Sequence, residues 1–218
     1  MCSSDLQAVV DRSARSTLTA GGEHFCAING EGGVKCWGSN DYGQLGNGSK
    51  KSSGKPVSVK GLGSGVQALT SGSYHTCAIT ETGGVKCWGT NIYGRLGDGS
   101  LSGSSRPVDV VGLGSGVVQI ASYAKFTCAL TSKGTIKCWG TNWSGSLGNR
   151  SKNESSSKPV SVKGISDATF VAVGYEHACA VLSDGNVKCW GSNSDGQLGD
   201  GPTDGSLSPV EVGGLSTP

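Results

Sequence analysis

The sequence predicts an all-β protein built from four copies of one four-stranded unit. Cysteines recur every 51 residues, at positions 26, 77, 128 and 179 and again at 36, 87, 138 and 189, and a tryptophan follows each cysteine of the second series. Glycine is abundant, with 38 among 218 residues, which suits a chain with many tight turns. Runs such as "HTCAIT" and "VKCWGTN" combine β-branched residues with flanking glycine and serine, a pattern typical of strands.

Each copy divides into four short strands and a long loop. In the second copy the strands are "KPVSVKGL", "GSGVQALTSG", "HTCAIT" and "VKCWGTN", and the loop is "YGRLGDGSLSGSSR". Four-stranded sheets repeated at this period predict a β-propeller, and the lack of a 3.6-residue pattern excludes a helical solenoid. We place the copies at about residues 16–54, 55–105, 106–157 and 158–207, with a final strand at 208–215.

The two ends of the repeat array leave one strand unmatched. The first copy lacks the Pro-Val strand that opens the others, whereas "SPVEVGGL" near the C-terminus has no copy after it. In a closed ring this final strand would complete the first sheet. Four blades of this kind close poorly, so we expect an open arc or a strained ring.

Residues 1–15 precede the repeats. The stretch from Cys2 to Leu6 matches the translation of a widely used sequencing adapter, so we interpret Met1–Leu6 as an assembly artefact and the chain as a metagenomic fragment. No signal peptide is recognised in this fragment, and no apolar run approaches the ~20 residues that span a bilayer. A net charge of +2 supplies no field for nucleic acid or an anionic membrane, so we expect neither as a partner.

The turn between the two cysteine strands determines their register. If Cys77 lies opposite Cys87, a three-residue loop remains that ends at Gly83, and glycine recurs at this third position in every copy. A three-residue hairpin loop requires a left-handed residue there. The cysteines of a copy then face each other at a non-hydrogen-bonded site, where Cα atoms ~4.5–5.5 Å apart permit a disulfide. The predicted disulfides are Cys26–Cys36, Cys77–Cys87, Cys128–Cys138 and Cys179–Cys189.

Metal binding and buried free thiols are the alternatives for these cysteines. His24, His75 and His177 each stand two residues before a cysteine, but the third copy has Phe126 there, and no copy offers a fourth ligand or a Cys-x-x-Cys pair. We therefore expect no metal and no cofactor. Disulfides require an oxidising compartment, so we expect an extracellular, periplasmic or cell-surface protein.

The recurrent tryptophans indicate packing between blades. Trp37, Trp88, Trp139 and Trp190 fall on the strand face opposite the cysteines, across from mostly small residues. The three histidines occupy equivalent positions of a ring, far apart, and no nucleophile motif such as Gly-x-Ser-x-Gly occurs. We therefore predict no catalytic residues and no enzyme activity.

Positions that differ between copies are the candidates for partner binding. Several aromatic residues and a few others lie in predicted loops after the Trp-Gly-x-Asn strands or before the first cysteines, and such residues are common at protein-binding surfaces. The alternatives are neutral variation in solvent loops and rings that cap the edge of their own blade. The candidates are Asp41, Tyr42, Ile92, Tyr93, Trp143, Tyr74, Tyr123 and Tyr175.

The repeat pattern resembles the regulator of chromosome condensation repeat family over about residues 16 to 215. It is carried by "GSYHTCAIT", "CWGTNIYGRLGDG" and "RPVDV" and their equivalents in the other copies. The resemblance implies a propeller, usually of seven blades, of which this chain would supply four. Members include bacterial secreted proteins and a nucleotide-exchange factor for the GTPase Ran.

Three functions remain possible on this basis. The first is a secreted or cell-surface, cysteine-containing scaffold of this family that binds a partner protein through ring-face loops. The second is a guanine-nucleotide exchange factor for a small GTPase, although exchange-active members insert a protruding loop and the constant period shows no insertion here. The third is a carbohydrate-binding propeller. Fold similarity alone does not decide between them.

Overall fold

A computed structural model describes residues 17–215, so the interpretations of Met1–Leu6, of Cys2 and of segment 1–15 lie outside the described residues. The first sheet contains β1 to β4, which are Leu18–Ala20, His24–Ile28, Val34–Gly38 and Ser53–Ser58. The second contains β5 to β8, which are Val66–Ser71, His75–Thr80, Val85–Gly89 and Ser104–Asp109, with a 3₁₀ turn at Ile92–Gly94.

The third and fourth sheets repeat this arrangement. The third contains β9 to β12, which are Val117–Tyr123, Phe126–Thr131, Ile136–Thr141 and Ser155–Ser161. The fourth contains β13 to β16, which are Ala168–Val173, His177–Leu182, Val187–Gly191 and Ser206–Glu211. In every sheet four consecutive strands pair antiparallel in chain order, so the chain is all-β and each sheet is one propeller blade.

The Pro-Val strand corrects the predicted start of each copy. It does not open the following blade but forms the fourth strand of the preceding one, where Val57 pairs with Cys36 and Val210 with Cys189. The final strand therefore completes the fourth sheet, and the expectation that it would complete the first sheet was wrong. Proline lacks an N–H group and belongs on an edge strand, which is the position that the fourth strand provides.

The cysteine hairpins have the register that the turn chemistry predicts. Cys77 lies opposite Cys87, Ala78 opposite Lys86 and Ile79 opposite Val85. Thr80 N donates to Gly84 O at 2.8 Å and closes the three-residue loop. The third loop residue has a left-handed backbone in all four copies, with φ values of 76°, 75°, 74° and 87° at Gly32, Gly83, Gly134 and Gly185.

Each contact between consecutive sheets pairs a tryptophan with the cysteines of the sheet before it. Trp139, for example, is buried in one cluster with Cys77 and Cys87. Its indole Nε1 donates a 2.9 Å hydrogen bond to the backbone oxygen of Arg95. The same arrangement places Trp88 on the cysteines of the first sheet and Trp190 on those of the third. Each sheet is therefore joined to the next by a tryptophan ring that packs on the disulfide and by the buried hydrogen bond of its indole.

The four sheets form an open arc. The first strands of consecutive sheets lie against each other, β1 against β5, β5 against β9 and β9 against β13, and within residues 17–215 no contact of similar extent joins the fourth sheet to the first. The end faces are accordingly less covered than the inner ones. Trp37 of the first sheet and Cys179 of the fourth are half-buried, whereas their equivalents in inner positions are fully buried.

Candidate functional site

The ring face is the surface formed by the loops after the third strands, residues 39–44, 90–95, 141–146 and 192–197, and by the turns before the second strands, residues 21–23, 72–74, 123–125 and 174–176. Backbone hydrogen bonds join each loop to its turn, for example from Thr90 N to Tyr74 O at 2.9 Å and from Thr141 N to Lys125 O at 3.2 Å. The side chains on these loops therefore project from a fixed backbone.

A buried asparagine holds each loop in place. Asn91 Nδ2 donates to Ser100 O and to Ser102 O, both at 3.1 Å, and its Oδ1 accepts a 2.8 Å hydrogen bond from Leu96 N. Asn40, Asn142 and Asn193 make the equivalent bonds in the other copies. This is why the Trp-Gly-x-Asn motif recurs although the residues that follow it vary.

The variable residues on the ring face contact one another across sheet boundaries. The Tyr42 and Tyr74 ring centroids lie 5.1 Å apart, which joins the first sheet to the second. Ser144 Oγ donates to Glu176 Oε2 at 2.8 Å and joins the third sheet to the fourth. At the boundary between the second and third sheets the equivalent positions hold Tyr93 and Lys125.

Five of these side chains form the aromatic–lysine cluster, which consists of Tyr93, Tyr123, Lys125, Trp143 and Tyr175. Lys125 Nζ lies 4.2 Å from the Trp143 ring centroid and 5.8 Å from that of Tyr175. The Tyr93 and Trp143 centroids are 5.2 Å apart, and those of Tyr123 and Tyr175 are 6.4 Å apart. Trp143, Tyr123 and Tyr175 remain 44%, 54% and 56% exposed. A large aromatic surface with a cation above it is thus open to solvent.

The structure brings together most of the residues that the sequence singled out. Tyr93, Trp143, Tyr123 and Tyr175 belong to the cluster, and Tyr42 pairs with Tyr74 one boundary away. Asp41 and Ile92 are exposed on the same loops without belonging to the cluster. A cavity of about 170 Å³ opens beside the cluster, and Tyr123, Tyr175 and the glycine-rich turns line it.

Two cations of the ring face are absent from the predicted binding candidates, although Lys125 belongs to a set of positions that vary between the copies. Lys125 stands where the other copies have Glu23, Tyr74 and Glu176, and Arg95 stands where they have Gln44, Ser146 and Gln197. Arg95 is only 6% exposed, and its Nε has no hydrogen-bond partner. Burial lowers the pKa of its guanidinium, an effect that the neighbouring hydroxyls of Tyr93 and Tyr74 oppose. Arg95 could have been recognised from the sequence, because it is the one charged residue among the four equivalent positions.

Comparison with known proteins places the whole repeat array in one family. One family model of the regulator of chromosome condensation (RCC1) repeat matches residues 16–44, 66–95, 117–145 and 168–197, and a second matches residues 31–79, 82–130, 133–181 and 184–217. The chain belongs to the RCC1 repeat family.

Curated relatives share these RCC1 repeats at moderate identity. The E3 ubiquitin-protein ligase HERC2 of Homo sapiens is 37% identical over 204 residues, which cover 91% of this chain and 4% of that protein. The ultraviolet-B receptor UVR8 of Arabidopsis thaliana is 33% identical over 200 residues, which cover 89% of this chain and 45% of that protein. The chain thus spans less than half the length of either relative.

Solved structures agree with the RCC1 fold. The crystal structure of human WBSCR16 superposes with a TM-score of 0.79 at 23% identity, over 90% of this chain and 51% of that chain. Yeast RCC1 (Prp20), in a crystal structure bound to Kap60, superposes with a TM-score of 0.76 at 24% identity, over 92% of this chain and 49% of that chain. These likenesses establish the fold.

The third RCC1 repeat departs from the others where it contributes to the cluster. In the other three repeats a histidine ring lies against a glycine, Gly21, Gly72 or Gly174, so closely that a Cβ atom would collide with it. The third repeat has Phe126 in place of the histidine and Tyr123 in place of the glycine, and the Tyr123 side chain is largely exposed. Ala124 follows with a φ of 45°, a left-handed conformation that costs ~1 kcal/mol or more for a residue with a Cβ.

The histidines connect neighbouring RCC1 repeats. His24 Nε2 lies 2.7 Å from Thr76 Oγ1, and His75 Nε2 lies 3.0 Å from Thr127 Oγ1, each across a sheet boundary. Burial lowers the pKa of His24 to about 4, and burial, with Arg95 and His24 adding to it, lowers that of His75 to about 3. Both rings are therefore neutral near pH 7. Where the third repeat has Phe126, the facing residue is the buried, apolar Ala178.

The four cysteine pairs lie at disulfide-bonding distance in the predicted combinations, with Cα atoms 4.0 or 4.1 Å apart. This geometry is compatible with an oxidising environment such as the cell exterior. Among residues 17–215, no helix is long and apolar enough to cross a membrane. In the same range, no three His, Cys, Asp or Glu side chains gather as a metal site would require.

Proposed function

We propose that this chain is a non-enzymatic protein-interaction module that acts in an oxidising, extracellular or cell-surface location and binds its partner through the ring face. The observation that carries the proposal is the aromatic–lysine cluster, because it gathers exposed tyrosine, tryptophan and lysine side chains at positions where the repeats differ. The cysteine, tryptophan and asparagine residues that build each copy are the same in all four. Those in the cluster are not.

The chemistry of the cluster suits a protein partner. Tyrosine and tryptophan present large, rigid surfaces at low entropic cost, and such residues contribute most of the binding energy at many interfaces. Trp143, Tyr123 and Tyr175 are each about half exposed, so a partner could bury the remainder of each ring. The energetically unfavourable backbone of Ala124 points in the same direction, because strain of this kind is concentrated at functional sites.

Solved structures of related proteins supply independent support. Yeast RCC1 (Prp20) has been crystallised with Kap60, and another structure of Prp20p is described together with its binding properties to Gsp1p and histones. These statements concern those proteins. Protein binding is therefore a role that this scaffold supports elsewhere, and we extend only that general role to this chain.

The alternatives receive less support from the described residues. Nucleotide exchange would call for a protruding insertion, but the cysteine hairpins of the four sheets have the same three-residue loop and the same register. Carbohydrate binding would use the flat faces of exposed rings as stacking platforms. In the cluster, Tyr93 and Trp143 instead meet edge to face at 77°, so the two rings do not form one flat surface.

The test exchanges cluster residues for their counterparts in other copies. Trp143→Ser, Tyr123→Gly and Tyr175→Ser use the residues found at positions 194, 72 and 73, so the fold should accept them. We expect the triple variant, immobilised in oxidised form, to lose capture of its partner from the culture medium of the producing cells. Its melting temperature should stay close to that of the wild type.

The matched control changes exposed apolar residues at the opposite ends of the strands. Val118→Gln and Phe170→Ala use the residues at positions 67 and 68, and the wild-type side chains are 54% and 48% exposed. Capture should survive in this variant. If the control loses the partner and the cluster variant retains it, the binding surface lies away from the ring face and the proposal is wrong.

A further inference from the structure

The boundary between the second and third sheets contains a buried cation without a counter-charge. Arg95 is 6% exposed, its Nε is buried, and that nitrogen has no hydrogen-bond partner. The ion pairs found in the described part of the chain are Lys86–Asp109 and Lys188–Glu211, and neither involves Arg95. Buried cations without a partner are unfavourable, so this one calls for an explanation.

The other copies show that the architecture does not need an arginine here. Gln44 Oε1 accepts a 2.9 Å hydrogen bond from Tyr42 N, and Gln197 Oε1 accepts one of 2.8 Å from Asp195 N. Ser146 Oγ donates to Glu176 O at 3.2 Å, which places this position at the boundary with the next sheet. A neutral side chain thus finds a hydrogen-bond partner in three copies, within its own loop at Gln44 and Gln197 and across the boundary at Ser146, and only the second copy carries a charge.

A second cation lies at the same boundary. Lys125 occupies the position of Glu23 and Glu176, so the charge here is opposite to that in two other copies. Its Nζ lies over the Trp143 ring at 4.2 Å instead of forming an ion pair within the described chain. The hydroxyls of Tyr74 and Tyr93, two residues of the second sheet, act electrostatically on Arg95. The boundary therefore combines two unpaired cations with phenol hydroxyls and an exposed indole.

We propose that this boundary binds a carboxylate from an acidic segment of the protein partner, with Arg95 and Lys125 as the cations and Trp143 and Tyr175 as an apolar wall. The inference rests on the proposed function and adds the chemistry of the partner to it. A guanidinium presents planar donors that match a carboxylate. The exposed rings beside the cations favour a peptide over a free anion, because a peptide also supplies apolar groups to cover them.

The probe is a blocked hexapeptide of Asp and Glu around one central Leu, and its control has Asn and Gln in place of the acids. Binding is followed by calorimetry at low salt and by the ¹⁵N-detected Nε–H resonance of Arg95. We expect saturable binding of the acidic peptide with a shift of that resonance, and no binding of the amide peptide. A resonance that stays unmoved at saturation overturns the proposal.

The variants remove one positive charge each. Arg95→Gln restores the residue of positions 44 and 197, Lys125→Gln removes the second cation, and Arg106→Ser is the control at an exposed position whose equivalent in the fourth copy is Ser208. Peptide affinity should fall about tenfold or more in Arg95→Gln, by a smaller factor in Lys125→Gln, and by less than about twofold in Arg106→Ser. Equal losses in all three would show that net charge alone attracts the peptide, and would overturn the inference.

Two further comparisons separate the possible outcomes. If inorganic phosphate shifts the Arg95 resonance at concentrations as low as the peptide does, the site binds free anions and the acidic-segment proposal is wrong. If the cluster variant loses the natural partner while Arg95→Gln keeps it, the proposed function stands and this inference fails. If Arg95→Gln loses acidic peptide but cluster replacements leave the partner bound, the carboxylate subsite stands and the ring-face function fails.

Discussion

Removing one disulfide from an inner sheet should cost more stability than removing the equivalent disulfide from the fourth sheet. Both pairs are separated by 10 residues. The chain-entropy term is therefore the same for both, about 2.8 kcal/mol for a loop of this length. Any difference between the two variants must come from what packs on the sulfur atoms.

The surroundings of the two pairs differ in a way that sets the size of this difference. Cys77 and Cys87 are fully buried beneath Trp139, whereas Cys179 is half-buried, and in the described residues no tryptophan packs on its pair. In the inner sheet, removal of the buried sulfur atoms also loses their packing contacts and leaves a cavity, which should destabilise the protein by a further amount of about 1–2 kcal/mol. We therefore expect the free energy of unfolding to fall by about 4–5 kcal/mol in Cys77→Ala/Cys87→Ala and by about 3 kcal/mol in Cys179→Ala/Cys189→Ala.

Guanidinium-induced unfolding of the oxidised proteins, followed by tryptophan fluorescence, measures both values, and hydrogen exchange locates the loss within one sheet. If the free energy of unfolding falls equally in the two variants, the packing of Trp139 on the Cys77–Cys87 disulfide does not contribute to stability. Losses below about 1 kcal/mol in both would show that the cross-links themselves are not formed in the native protein.

Three more predictions test other parts of the argument. Reduction should add eight hydrogens to the intact mass of protein from an oxidising compartment, and eight freely alkylating thiols before reduction would contradict the four disulfides. Because burial lowers the pKa of His24 to about 4 and of His75 to about 3 from the ordinary 6.5, their contribution to stability is complete above pH 6.5 and is lost as the pH falls toward those values. The double variant His75→Phe/Thr127→Ala copies the pair Phe126 and Ala178. Its free energy of unfolding in urea should fall less between pH 7 and pH 4.5 than that of the wild type. An equal fall in both proteins would assign the acid sensitivity to other groups. Gly185→Ala should destabilise the protein by about 1 kcal/mol because φ is 87° there and the added Cβ atom would meet no neighbour, and a neutral result in thermal unfolding would contradict the left-handed turn.

Much of the fold could be predicted because the features that define each copy lie close together in the sequence. The spacing of cysteine, tryptophan and glycine determines strand length, hairpin register and cysteine pairing without reference to distant residues. The start of each blade could not be predicted in this way, because a period gives the length of a unit and not the point at which one sheet ends. Val57 shows this, since its pairing with Cys36 depends on the path of a long loop.

The ring face was predictable only in part for a related reason. The exposed aromatic residues stand out because they vary between copies, and the sequence analysis named them. Their contacts do not stand out, because Lys125 reaches Trp143 and Tyr175 from a different loop. The burial of Arg95 likewise depends on how the second and third sheets meet, which no single repeat contains.

The matched pairs at the sheet boundaries have a consequence for how such proteins can be rearranged. His24 meets Thr76 and His75 meets Thr127, while Phe126 lies beside Ala178, so each repeat has a side chain suited to its own neighbour. Separating the third repeat from the fourth would place Phe126 against a threonine hydroxyl, or a histidine against Ala178. That one adjacency is therefore encoded in the repeat edges, and recombination that separates these two 51-residue units should yield proteins that fold poorly although every unit is intact.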